Sequence, residues 1–117
     1  MAVQHPYSGS TGVAKRAKID NATSGDNELV AAVTGKAIRV VDVMLVSTGT
    51  VNARFESSAG GTALSGVINL TAQAGFAPGY NRAGHFQTVA GEALNLELSG
   101  AVSVDGWLVY VEVDGDG

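Results

Sequence analysis

The side chains able to do chemistry are few and scattered. Histidine occurs only as His5 and His85, so no catalytic triad and no His-rich zinc site can be gathered from separate strands. Cysteine is absent, which removes disulfide frameworks, thiolate metal sites and thiol nucleophiles together. Paired carboxylates for glycoside hydrolysis would have to come from Asp42, Glu56, Glu92, Glu97, Asp105 and Glu112, none of which sits in a recognisable motif. Most read as solvated face charges. Asp42 differs, because it interrupts an apolar run and so either points into an interface or marks a bulge, with Arg39 or Lys36 as its natural partner. The acidic end Asp114-Gly115-Asp116 lacks the spaced oxygen ligands of a calcium loop. Gly60-Gly61 is followed by no helix that could present its N-terminus to a phosphate. The tripeptides Asn21-Ala22-Thr23 and Asn69-Leu70-Thr71 match the glycosylation pattern, which has meaning only in a secreted chain. The inventory predicts a protein that is not an enzyme, with no catalytic residues, no cofactor and no metal.

Recognition chemistry is better represented. The segment Gly75 to Phe86 concentrates aromatic, amide and cationic groups, the composition of a contact surface. Two readings fit it. In one, Tyr80, Asn81, Arg82 and His85 touch a partner; in the other, Phe76 and Phe86 plug the core while Tyr80, Asn81 and Arg82 decorate a long connection. His85 is read as a partly exposed strand residue beside Phe86 or as a subunit contact. Trp107, whose strand neighbours are apolar, reads as an inward or interface anchor.

These residues must be positioned by strands. Short apolar runs recur about every ten residues between Gly, Asn, Asp and Ser, the spacing of an all-β sandwich or barrel. In Glu92 to Leu98, Leu94, Leu96 and Leu98 share one face while Asn95 and Glu97 take the other. Val51 to Glu56 repeats the pattern, with Val51, Ala53 and Phe55 inward and Asn52, Arg54 and Glu56 outward. By contrast, Ile38 to Val46 and Trp107 to Val111 are apolar on both faces and require cover on both sides. A second copy of the chain is the expected cover, which makes Ile38, Val40, Met44, Trp107, Leu108 and Tyr110 the candidate oligomer interface. Arg16 to Ile19, Leu29 to Thr34, Val67 to Leu70 and Gly84 to Val89 are weaker strand candidates. The total is about eight, enough for two packed sheets. The expected organisation is a flexible N-terminal arm over residues 1–13, a β-sandwich domain over 14–113 and a flexible acidic tail over 114–117.

Composition bounds the partners. With 117 residues the chain holds one domain. Hydrophobic residues make up 45% and charged residues 15%, so a packed globule with a Ser-, Thr-, Asn- and Gly-rich surface is expected. The formal net charge of −4 lacks the footprint that neutralises phosphates, so nucleic acid is not an expected partner. No stretch approaches the ~20 apolar residues of a membrane span, and no signal peptide is evident, so synthesis in a cytoplasm is expected.

Three segments in order, Phe55-Glu56-Ser57-Ser58-Ala59-Gly60-Gly61-Thr62-Ala63-Leu64-Ser65-Gly66, Gly75-Phe76-Ala77-Pro78-Gly79-Tyr80-Asn81 and Gly91-Glu92-Ala93-Leu94-Asn95-Leu96-Glu97-Leu98, give the region from Ala37 to Val113 a resemblance to small tailed-phage virion proteins. It excludes the N-terminal arm. The resemblance implies a jelly-roll-like sandwich, a homo-oligomer with a trimer favoured, the major capsid protein as partner, and a place on the outer capsid surface of a virion made in a bacterial cytoplasm. The implied role is capsid decoration, or cementing, with His5 and Tyr7 of the arm joining Tyr80, Asn81, Arg82 and His85 as partner contacts. A tail or baseplate appendage, or a carbohydrate-binding adhesin module, is the alternative on the same scaffold. The family has no catalytic signature to carry over.

Overall fold

The structure, a computed structural model, describes residues 10–114. His5 and Tyr7 therefore lie outside the described residues. The described chain contains no helix and forms ten strands, β1 (Ser10–Asn21), β2 (Gly25–Val30), β3 (Lys36–Ser47), β4 (Val51–Ser57), β5 (Thr62–Ala63), β6 (Ile68–Leu70), β7 (Gly75–Phe76), β8 (Phe86–Gln87), β9 (Leu94–Leu98) and β10 (Val104–Asp114). The first strand begins at Ser10 and the last reaches Asp114, so residues 10–13 and 114 belong to the sandwich and the expected boundaries at 13 and 113 move outward. Asp114 is tied down by pairing with Lys36, both through the ladder and through a 2.5 Å ion pair.

The strands form two antiparallel sheets. One runs β1, β10, β3, with β7 and β8 pairing with opposite ends of β3; the other runs β2, β9, β4, with β5 and β6 sharing the free edge of β4. Counted as one broken edge each, β5 with β6 and β7 with β8 leave eight strand positions. Successive strands then wrap around the two sheets as a jelly roll. The broken edges are short and irregular, which blunts the unpaired backbone that would otherwise recruit another strand.

The core lies between the sheets. Leu94, Leu96 and Leu98 of β9 and Val51, Ala53 and Phe55 of β4 meet Ile19, Ile38, Val40, Val43, Leu45 and Leu108, all essentially inaccessible to water. The one-sided patterns of β4 and β9 thus have the predicted inward set. Phe55 stacks on Phe86 with ring centroids 4.6 Å apart. Phe76 also packs against this core, so both loop phenylalanines serve as plugs.

The strands that are apolar on both faces have two different kinds of cover. Ala37, Val41, Val111 and Val113 form a second cluster, fully buried within the single chain, with Val109 packed against it. A bulge creates this arrangement: Val109 pairs with Asp42 and Tyr110 with Val40, which leaves Val41 as the additional residue on β3. The bulge therefore occurs beside Asp42. Lys36 and Arg39 have other partners, Asp114 and Gln87.

Candidate functional site

Strand parity divides the expected interface set. Ile38, Val40 and Leu108 are 0% exposed and belong to the intramolecular core, so a partner cannot reach them in the closed sandwich. Tyr110 is half-buried and packs against the same core. The physical reason is the bulge, which shifts the alternation of β3 by one residue: 38 and 40 face inward before it, 43 and 45 after it. Met44 therefore faces outward although Val40 does not.

Met44 and Trp107 are directly opposed in the ladder, and across β10 Trp107 faces Lys18 of β1. Val46, opposite Asp105, extends the patch by one row. Met44, Val46 and Trp107 are 36%, 37% and 40% exposed, large apolar side chains of β3 and β10 that remain open to water. Arg16, Lys18 and Asp20 border the patch on β1. The result is an apolar strip with a charged margin, the layout of a contact surface with a dry centre and a wet rim. Gly106 holds the two strands together beneath it. A Cβ there would lie 2.8 Å from Leu45 Cα and closer still to the Met44 carbonyl oxygen, so only glycine admits this approach.

The loop between Gly75 and Phe86 borders the opposite edge of β3. It leaves from β7, opposite Leu45 and Val46, and returns to β8, opposite Val40 and Arg39. The backbone N–H groups of Asn81 and His85 donate to the carbonyls of Val41 and Val40, each at 2.7 Å. The Asn81 side-chain oxygen accepts from Ala83 N–H at 3.0 Å, an Asx-type turn that shapes the bend. His85 Nε2 lies 2.7 Å from the Gly79 carbonyl. A carbonyl only accepts, so Nε2 is the donor in this contact. Gly84 has φ +92°, and a Cβ there would meet Arg39 Cγ at 2.6 Å, so the loop lies directly on the Arg39 side chain. Tyr80, Asn81 and Arg82 are left exposed at its crest while His85 is half-buried. Of the expected contact residues on this loop, Tyr80, Asn81 and Arg82 are thus exposed, and His85 has its ring engaged within the loop.

The outer face of the other sheet carries a cluster that the sequence did not reveal. Register sets Asp26 of β2 opposite Glu97 of β9, and Glu97 opposite Arg54 of β4; Glu56 stands one row on, opposite Asn95. Carboxylate oxygens of Asp26, Glu56 and Glu97 fall within 4.8 Å of one another. The Arg54 guanidinium donates to Glu56 Oε2 and lies 3.0 Å from Glu97 Oε1. Glu56 occupies an outward position yet is 0% exposed. The turn from Ser57 to Gly61 helps form its enclosure: Ser58 N–H donates to the Ala93 carbonyl at 2.7 Å.

The electrostatics of this cluster are asymmetric. Asp26 holds its proton above the usual aspartate range because its protonated carboxyl would hydrogen-bond to Glu56, with burial and the charges of Glu56 and Glu97 acting in the same direction. Burial pushes Glu56 up, but hydrogen bonds from Asp26 and Arg54 outweigh it, and the net direction is down. A shallow groove of about 180 Å³ adjoins the Arg54 and Glu97 end, lined also by Asn52, Ala53, Val67 and Ser99.

No family model matches the chain, and no curated protein is significantly similar to it.

Proposed function

We propose that this chain is a non-enzymatic structural protein of a tailed-phage virion, which attaches to the outer capsid surface as a small oligomer and stabilises the shell. The observation that carries the reading is the apolar strip of Met44, Val46 and Trp107 on a sheet face of a jelly roll, open to water in the single chain and rimmed by charge. A second copy of the chain covers this strip, with a trimer as the favoured assembly. The exposed crest of Tyr80, Asn81 and Arg82 then contacts the major capsid protein.

Cementing of this kind follows from linkage. A ligand that binds only the assembled lattice stabilises it by about 4 kcal/mol at ~1,000-fold excess over its Kd. Joining several weak contacts in one oligomer raises the effective affinity by about 10²-fold or more without strengthening any one of them. The test is co-sedimentation of the purified protein with undecorated phage heads, alongside its mass in solution. Saturable binding of an oligomer supports the proposal, and a monomer that stays in the supernatant contradicts it.

The exposed aromatic, amide and cationic side chains of Tyr80, Asn81 and Arg82 also favour a second reading, an adhesin module that binds carbohydrate through this crest. Glycan-array binding that is lost in Tyr80→Ala, from a protein that ignores capsids, selects it over the first.

A further inference from the structure

We propose that Asp26, Glu56 and Glu97 form a calcium-binding site on the outer face of the sheet containing β2, β9 and β4. The proposal stands independently of the virion reading. It starts from one oxygen. Glu56 is fully buried, its Oε2 accepts from Arg54, and with Asp26 ionised its Oε1 has no hydrogen-bond donor. A buried carboxylate oxygen without a partner is costly, so it calls for a donor or a cation that the side chains alone do not supply. The groups nearest to it within the cluster are the carboxylates of Asp26 and Glu97, which are acceptors like itself when ionised. Three acceptors converging on one point describe a cation's donor set.

Charge, spacing and access agree on the ion. Three carboxylates and one guanidinium leave a deficit of two positive charges, which one divalent cation balances. Calcium binds oxygens at about 2.4 Å, so two ligands on opposite sides of it stand about 4.8 Å apart. The three carboxylates fall within that span. Arg54 engages Glu56 Oε2 and Glu97 Oε1, so each of these carboxylates keeps a second oxygen, and Asp26 offers both of its own. Asp26 is exposed and Glu97 half-exposed, so water has access to complete a coordination number of six to eight. Magnesium, which demands a tighter octahedron and retains its own waters, suits this open arrangement less well. A three-carboxylate site already part-neutralised by arginine belongs in the weak class, with Kd about 10⁻⁴ to 10⁻³ M. Bound there, calcium would join three neighbouring strands and secure the turn from Ser57 to Gly61 over Glu56.

The experiment uses the full chain, stripped with chelator and dialysed, in calorimetric titration and thermal melts with calcium chloride at neutral pH. Magnesium chloride and ionic-strength-matched sodium chloride run in parallel. The expected result is one calcium per chain, with a melting-temperature rise of roughly 10 °C at about 100-fold excess over Kd and a smaller response to magnesium. Asp26→Asn, at an exposed position, should fold as the parent does and bind calcium at least about tenfold more weakly. Glu56→Gln, which preserves shape while removing charge from the unpartnered oxygen, should abolish the response. No heat and no melting shift up to tens of millimolar calcium, or a shift retained undiminished in Asp26→Asn, would overturn the proposal.

Discussion

Replacing Gly106 by alanine is the most localised way to disturb the outward strip without touching any of its side chains. The new Cβ would sit 2.8 Å from Leu45 Cα and closer still to the Met44 carbonyl oxygen. Carbon atoms in contact rest at about 3.5 Å or more, so β3 and β10 would have to separate by at least ~0.7 Å at this point. Ladder bonds of about 2.9 Å would stretch to about 3.6 Å, beyond the range in which they count as hydrogen bonds. Loss of two flanking bonds at about 1 kcal/mol each, plus about 1–3 kcal/mol of overpacking strain, gives a destabilisation of about 3–5 kcal/mol. For a domain of this size that corresponds to a melting-temperature fall of roughly 10–20 °C. Denaturant unfolding of wild type and Gly106→Ala, followed by tryptophan fluorescence, measures it directly. Gly66→Ala is the control, because a Cβ there meets nothing within 4 Å, and it should be neutral or stabilising by up to about 1 kcal/mol. A Gly106→Ala variant within ~1 kcal/mol of wild type would refute the close-approach argument.

Two further outcomes follow from the packing and the surface charges. Phe55→Ala removes a fully buried ring stacked on Phe86 and should cost about 3–5 kcal/mol; a loss below ~1.5 kcal/mol in the same unfolding assay would show that the core closes over the gap. Lys15 holds its proton more tightly than an ordinary lysine because its ammonium hydrogen-bonds and ion-pairs with Glu112 across β1 and β10. A raised pKa stabilises the fold below the unfolded value of 10.5 and ceases to do so as pH rises through the folded value. Lys15→Met should therefore destabilise at pH ~8, and the deficit should shrink as pH rises through the folded value. A deficit unchanged by that rise would contradict that assignment.

The parts of the fold that were legible in the sequence are those where one face is dry and the other wet. Leu94 to Leu98 and Val51 to Glu56 alternate apolar with polar residues in sequence, and their inward residues form the core, although outward Asn95 and Glu56 are buried as well. The second strand was expected at Leu29 to Thr34 but occupies Gly25 to Val30. Its polar Asp26, Asn27 and Glu28 give it no apolar run, whereas the apolar run to Val33 ends in a turn closed by Lys36 N–H on the Val33 carbonyl. The two-residue strands β5 and β7 were invisible because backbone pairing alone defines them. The interface set was partly misassigned for a different reason. Runs apolar on both sides do not announce their parity, and the bulge at Val41 reverses it midway along β3. The carboxylate cluster lay beyond reach because residues 26, 56 and 97 meet only through the register of three strands. Arg54 and Glu56, two apart on one strand, were the visible part of it.

The central claim is that Met44, Val46 and Trp107 are covered by another copy of the chain. Light scattering on the purified protein and on the double variant Met44→Ser, Trp107→Ser, followed by co-sedimentation of both with undecorated phage heads, tests it most directly. The account predicts a wild-type mass of about 35 kDa, three times the 11.8 kDa chain, that saturates the heads. The variant, whose substitutions lie outside the core, should remain folded, become monomeric and bind heads weakly. A wild-type monomer that ignores heads, or a variant that assembles and binds as wild type does, would contradict it.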